Sequence, residues 1–292
     1  MLFRSHLQLL ALLPHFPHPD EKLEMVDHVE QVGGPVPTAL RQLSRLGLTT
    51  AFSGLVGDDA QGEYIRAGLA RDGVDTELLV TMPGCRSGFA LAWASLEKGE
   101  RAVASTNGSL PALAAGMLPE ERFPDCRLFH IDGREQRTVV DIVRRMKERG
   151  ALVSIDTGSF RSHTLELLPL VDYIIMPRRF PDAWLGEKAP RDMGEAAEAA
   201  ATRFPAARVV CVTDGKRGSA AIAGGRICRQ PAFPVNTVDT TGCGDAHCGA
   251  LLARLLAGDP VETALRYAAG CAALKASRLG NGNLADEAAI LR

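Results

Sequence analysis

The chain has 292 residues, 46% of them hydrophobic and 23% charged, values of an ordinary globular protein with a sizeable core and not of a disordered one. Its formal net charge is −2 and it carries no long basic run, which gives no support to nucleic-acid or anionic-membrane binding. Seven cysteines (Cys85, Cys126, Cys211, Cys228, Cys243, Cys248 and Cys271) fall without a Cys-x-x-Cys pair, so reduced thiols in a cytoplasmic protein are expected, not a disulfide framework or a zinc knuckle.

The first apolar stretch runs over residues 7–13. It follows Arg4 as the core of a signal peptide would, but it is short, contains Gln8 and lacks a small-residue cleavage site. It reads instead as a first or a shortened core strand, and no apolar run approaches the roughly 20 residues of a membrane span. Residues 21–32 and 87–105 alternate apolar and polar side chains without a helix between. Within the second segment, 90–94 can pair with 101–104 across a turn at 97–100. Elsewhere strands and helices alternate. Strands are expected at 49–54, 126–131, 151–155, 172–176 and 208–213, and helices at 59–72, 136–150 and 193–203. That alternation is the signature of a mostly parallel sheet with helices on both faces. No linker or repeat divides it, so residues 1–292 read as one α/β domain, and 281–283 as a simple turn.

The chemistry concentrates in residues 236–252. A strand-like segment leads into Gly242 and Gly244, then Asp245, then a helical pattern reaching Leu256. Glycines before a helix let consecutive N–H groups aim at one point, and the helix dipole adds to them, making an anion hole. A carboxylate beside such a hole suits phosphoryl transfer. It takes the acceptor hydroxyl's proton while the amides hold the charge on the moving group. The plain alternative is an N-capping aspartate after a tight turn. The stretch is not a Walker A loop, since no Gly-Lys-Ser/Thr follows, and it lacks the third glycine of a dinucleotide fingerprint.

Asp239-Thr-Thr-Gly-Cys-Gly-Asp245 resembles the Asp-Thr-x-Gly-Ala-Gly-Asp motif of ribokinase-like (phosphofructokinase B type) carbohydrate kinases, with Cys243 in place of the usual alanine. Gly33-Gly34, Arg45-Leu-Gly47 and Val56-Gly-Asp-Asp59 are similar to a second signature of that family. Phe129-His-Ile-Asp-Gly-Arg134 and Val212-Thr-Asp-Gly-Lys-Arg-Gly218 follow in the family's order, so the resemblance spans nearly the whole chain. Phe16-Pro-His-Pro-Asp20 and His130-Ile-Asp-Gly-Arg134 look closest to ketohexokinase-like members. The resemblance implies a ribokinase-like α/β body, with a small β-sheet lid formed from residues 15–32 and 85–105. It further implies ATP and Mg2+ as cofactors, a small sugar or polyol as acceptor, a ketose first, and a homodimer made through the lid.

Carried over by position, Asp245 would be the catalytic base, and Gly242, Cys243 and Gly244 would supply the anion-hole amides. Thr213, Gly215, Gly218 and Thr240, with Gly242 and Gly244, would line the nucleotide groove. Gly34, Thr38 and Gln8 would face the substrate. Arg101 would approach the substrate or phosphoryl group from the lid, and Asp20 would reach a neighbouring subunit's sugar.

The departures from the family cluster on the sugar side. Gln8 stands where an aspartate usually binds hydroxyls, with most of the surrounding strand expected to be missing. Pro35 and Thr38 replace asparagines of the glycine loop, and Pro35 cannot donate a hydrogen bond. Pro177-Arg-Arg-Phe180 replaces an Asn-x-x-Glu motif that organises magnesium in many members, leaving the metal ligands unassigned. An active kinase and a catalytically weakened nucleotide- or sugar-binding relative with a regulatory role are both consistent with this pattern. A nicotinamide-dependent enzyme on a similar sheet is a distant third. Cys243 is either a reactive thiol at a helix N-terminus or a space-filler. His247 is expected to be packed away from Asp245. Asp156 either faces the cleft or forms a turn, and Arg134 either faces the ligand or pairs with Asp132 or Glu135.

Overall fold

The structure, a computed structural model, describes residues 5–97, 100–112, 125–134, 137–282 and 284–290. Arg4, the turn residues Lys98 and Gly99, Glu135, Gln136 and Asn283, on which sequence expectations fall, lie outside them. The chain clusters into two compact units. The N-terminal unit takes in Arg4–Pro111, Pro234–Ala253 and Gly270–Arg292, and the central unit Ala112–Phe233 and Arg254–Ala269.

The N-terminal unit begins with β1 (His6–Leu13), β2 (Asp27–Gly33), α1 (Pro35–Arg45), β3 (Thr50–Ala51), β4 (Gly54–Gly57) and α2 (Ala60–Arg71). It continues with β5 (Val74–Asp75), β6 (Leu79–Met82), β7 (Gly88–Ser95) and β8 (Arg101–Thr106). Four of these make one sheet in the order β2-β1-β7-β8. The expected β7–β8 hairpin is present, with Ala90 opposite Ser105 and Ala94 opposite Arg101. Of the two readings of residues 7–13, the first core strand holds and the shortened one does not: β1 is a full eight-residue strand, antiparallel to β2 and parallel to β7. Its near-continuous leucines follow from that central place, where neighbours cover it on both sides and Leu10 to Leu13 are all buried. Leu10 and Leu12 pack with Ala92 and Ala94, and Val29, Val238 and Leu279 close the cluster.

Two further boundaries move. The segment 21–32 becomes strand only from Asp27, and 49–54 breaks into β3 and β4, which pair in parallel with β5 and β6. α1 starts after Gly34 with Pro35 in its first turn, where the missing N–H loses no intrahelical bond. α2 is capped by Asp59, whose Oδ1 accepts from Gly62 N at 2.8 Å.

The central unit holds β9 (Leu128–Asp132), α3 (Arg137–Glu148), β10 (Leu152–Asp156), α4 (Thr164–Leu167) and β11 (Tyr173–Pro177). α5 (Arg179–Leu185), α6 (Met193–Arg203), β12 (Val209–Thr213), β13 (Ser219–Ala223) and β14 (Arg226–Gln230) follow. Their sheet runs β14-β13-β12-β11-β10-β9, with β9 to β12 parallel. Val153, Ile155, Ile174, Cys211 and Val212 have no exposed surface, as a sheet covered on both faces requires. The antiparallel hairpin β13–β14 was not anticipated, although Gly224-Gly225 at its turn is a hairpin signal. The last helices are α7 (Cys243–Leu256), α8 (Val261–Ala276) and α9 (Glu287–Ile290). Residues of α7 through Ala253 and of α8 from Gly270 belong to the N-terminal unit. Among the described residues, no helix is long and apolar enough to cross a membrane.

Candidate active site

The loop that enters α7 is tied down before the helix begins. The amides of Val238 and Asp239 both donate to the carbonyl of Ala276, at 2.8 and 3.2 Å. Asp239 is buried, and its Oδ1 accepts from Thr241 N at 2.7 Å while Oδ2 accepts from Gly280 N at 3.0 Å. Lys275 is only 1% exposed, and its ammonium donates to Asp239 O at 3.0 Å, Asp239 Oδ2 at 3.1 Å and Arg278 O at 3.4 Å. Three oxygens thus meet the three donors of a buried ammonium, and its charge is matched by a carboxylate with no exposed side-chain surface. Gly242 follows with φ 80°, in the left-handed region that glycine enters without steric cost. Ala246 N then donates to Gly242 O at 2.8 Å as the helix starts.

Asp245 sits in the first turn of α7, half-buried, where a carboxylate is favoured by the helix dipole. Gly244 is exposed, and no atom lies within 4 Å of where its Cβ would be, so the loop backbone there borders open space. Arg101, the first residue of β8, reaches the same loop, its Nη1 3.3 Å from Thr240 O. Burial pushes the Cys243 thiol up to about 11, and the charges of Lys275, Asp239, Arg101 and Asp245 all act on it. That thiol is protonated at neutral pH, which fits the space-filling reading and not the reactive one. Burial likewise takes the His247 imidazole down to about 4, so it is neutral and packed.

The residues expected on the sugar side fall on a buried polar network in the same unit. Gln8 Oε1 accepts from Gln31 Nε2 at 2.7 Å, and Gln31 Oε1 accepts from Asn281 N at 2.6 Å. Asn281 Nδ2 donates to Val32 O and to Thr38 Oγ1, each at 3.2 Å, and its Oδ1 accepts from Arg41 Nη1 at 3.1 Å. Arg41 in turn pairs with the buried Asp72. A Cβ on Gly242 would lie 3.5 Å from Thr38 Cγ2 and 3.6 Å from Asn281 Cβ, so Thr38 and the glycine loop are adjacent. Asn281 is therefore far more than a turn residue, and it and Lys275 were missed by the sequence reading. Gly34 caps α1 beside this network, with Thr38 N donating to its carbonyl at 3.1 Å. Asp20 is exposed, in a turn with φ 64°.

In the central unit, Thr213 ends β12 and Gly215 and Gly218 bracket the turn into β13. A Cβ on Gly218 would meet Gln230 O at 2.2 Å and Ala232 N at 2.7 Å, so close backbone approach requires glycine. Phe180 has no exposed surface, so the segment that replaces Asn-x-x-Glu turns its aromatic ring into the core. Asp156 accepts from Gly158 N at 3.0 Å, the turn role among its two readings. Asp132 accepts from the backbone N of Arg134 at 3.2 Å.

A half-buried carboxylate, a glycine loop at a helix start and a flanking arginine are the parts a phosphoryl-transfer enzyme needs. Residues 11–288 match the pfkB family of carbohydrate kinases, and the chain belongs to that family. It is 28% identical to an ATP-dependent ribose-1-phosphate kinase of Halopiger xanaduensis over 267 residues, 90% of this chain and 86% of that enzyme. It is 54% identical to a 2-dehydro-3-deoxygalactonokinase of Haloferax volcanii, but over 76 residues only, 26% of this chain and 23% of the other. Arabidopsis thaliana ribokinase, solved with ribose and ATP, superposes with a TM-score of 0.84 at 21% identity, covering 99% of this chain and 96% of that one. The fold is ribokinase-like, as the motifs implied.

Proposed function

We propose that the chain, acting over residues 1–292 as one kinase domain, transfers the γ-phosphoryl group of ATP to a hydroxyl of a small sugar or related polyol. The observation that carries this reading is the half-buried Asp245 in the first turn of α7, behind a glycine loop locked by the Asp239–Lys275 pair. Asp245 takes the acceptor's proton as its oxygen attacks the γ-phosphorus and the bond to the β-phosphate oxygen breaks. The amides of Gly242, Cys243 and Gly244 hold the transferred charge, with Arg101 beside them. Thr213, Gly215, Gly218 and Thr240 serve the nucleotide, and Gly34, Thr38 and Gln8 the acceptor.

The open space at Gly244 and the helix N-terminus fit phosphate. Residues 177–180 offer no carboxylate and Phe180 is buried, so they do not fit a magnesium site. Magnesium would come held mainly by the nucleotide's own phosphates, and no step above runs through it. A ketose is the first acceptor to try, and the names of the two relatives add ribose 1-phosphate and 2-dehydro-3-deoxygalactonate. We further propose a homodimer through the lid of residues 15–32 and 85–105, with Asp20 directed to the neighbouring sugar. Its support is β8, all six of whose residues are exposed.

The test is ADP release from Mg-ATP across a panel of ketoses, aldoses, nucleosides and sugar phosphates, for this chain and for Asp245→Asn. Acceptor-dependent turnover that falls about 10³-fold in the variant, with the melting curve unchanged, is the expected result. An equally active variant would remove Asp245 from the mechanism. Silence across the panel, with ATP still raising the melting temperature, would point to a weakened relative.

A further inference from the structure

Lys275 lies outside every motif of the sequence reading, yet it is one of the largest fully buried side chains of the molecule. A lysine loses about as much rotamer freedom on burial as any side chain and must shed the water around its charge, so its retention in the core calls for a reason. Its three oxygen partners come from two places. Asp239 supplies a carbonyl and a carboxylate oxygen from the start of the glycine loop, and Arg278 supplies a carbonyl from the segment after α8. The same carboxylate holds Thr241 N through its other oxygen, one residue before Gly242. The chain of contacts therefore runs ammonium, Asp239, Thr241, Gly242, and ends at the amides assigned above to the phosphoryl group.

From this geometry we infer that Lys275 is a positioning residue for phosphoryl transfer. Its ammonium fixes the Asp239 carboxylate, and the carboxylate sets the pitch of the turn that aims the Gly242–Gly244 amides. The inference rests on the reading of those amides as the anion hole. Donors that stabilise a transition state act only when they are held in place beforehand. A loop released by even part of an ångström therefore loses rate before it loses affinity. The acceptor is assigned to a different set of residues, Gly34, Thr38 and Gln8, so kcat and not the acceptor KM should carry the loss.

The experiment is steady-state kinetics on Lys275→Ala and Lys275→Met in the full chain, with and without n-propylamine. Lys275→Ala removes a three-carbon ammonium and leaves its oxygens in place, and n-propylamine supplies the atoms removed. The expected result is a fall in kcat of about 100-fold, comparable to loss of one oxyanion donor, with the acceptor KM within about twofold. n-Propylamine should restore part of the Lys275→Ala rate, methylamine less, and 1-propanol none. In Lys275→Met the apolar stem fills the space, so kcat should fall without amine rescue. Wild-type kcat in both variants, equal losses in kcat and KM, or rescue by 1-propanol would overturn the inference. Failure of both variants to fold would also overturn it, by making the pair structural alone. Asp245→Asn serves as the separating control. If that variant stays active the proposed function, with Asp245 as base at this loop, fails, whereas if it is inactive while Lys275→Ala turns over normally, only the positioning role fails.

Discussion

The loop entering α7 and the strand β8 meet through one hydrogen bond, Arg101 to Thr240 O, yet they are built on opposite plans. In the loop the charged groups are inside: Asp239 and Lys275 are 2% and 1% exposed, and each oxygen and donor named above has a partner. In β8 all six residues are exposed, although they pair with β7, whose alternate residues are buried. The difference separates two tasks. If the loop amides meet a phosphoryl group, as proposed, they need fixed aim, and buried paired charges give it because breaking them is costly. If β8 reaches over an acceptor, as proposed, it needs little stability of its own. Asp239→Ala is the hardest test of this contrast. Removing the carboxylate strands a buried ammonium, and the expected loss is about 3–5 kcal/mol in urea unfolding. A variant that unfolds at the wild-type midpoint would break the comparison at its firmer end.

The next effect is smaller and extends the contrast to the buried polar network around Asn281. Asn281→Ala removes the contacts to Val32 O, Thr38 Oγ1 and Arg41 and leaves its backbone bond to Gln31. A loss of about 1–3 kcal/mol is expected, with a rise in acceptor KM as Thr38 loses its partner. Stability should also depend on acid. Burial holds the His247 imidazole at about 4 and that of His130 at about 3, both below the ordinary 6.5. Unfolding therefore takes up protons below pH 6.5, so stability is fully present above that value and falls as the pH drops towards 4. Melting temperatures between pH 7 and pH 4 measure it, and His247→Leu should flatten the slope.

How much of this could be read from the sequence follows the same division. The motif 239–245 was legible because a glycine loop, a capping position and a carboxylate need only a few consecutive residues to declare themselves. Lys275 was not, because its acceptor lies 36 residues away and a lone lysine reads as surface. Asn281 was read as a turn for the same reason: its backbone partner Gln31 is 250 residues distant. The parallel strands of the central unit were found to within a residue or two, since short apolar runs between helices repeat. β1 was undervalued because its partners, β2 and β7, give a strand no local signature, and only the pairing reveals it as the middle of a sheet. Exposure of β8 was equally hidden, since Arg101-Ala-Val-Ala104 has the alternation of a half-buried strand.

Arg101→Ala is expected to lower kcat/KM by about tenfold, from one hydrogen bond and one charge beside the phosphoryl group, without shifting the melting temperature. Turnover unaffected by this change would mean the contact to Thr240 is incidental and that the two regions work independently.

Val103→Lys is expected to have little effect on stability, and it probes the edge itself. Val103 is 50% exposed at the middle of β8, and Leu96, just beyond β7, is 51% exposed. An edge strand with uncovered backbone groups and apolar side chains invites another strand, and a second copy of the same edge is the partner that two-fold symmetry provides. A lysine there should change the unfolding free energy of the chain by no more than about 0.5 kcal/mol, because the valine buries little in the single chain. It should nevertheless turn a dimer into a monomer in sedimentation, since the edge would carry a like charge on each copy. Acceptor affinity should then weaken together with dimerisation, and Asp20→Asn should weaken it to a similar extent while leaving the dimer intact. If sedimentation finds the unaltered chain to be a monomer, β8 is bare in solution, and the contrast with the loop becomes sharper: one side of the site held by buried charge, the other by its hairpin alone.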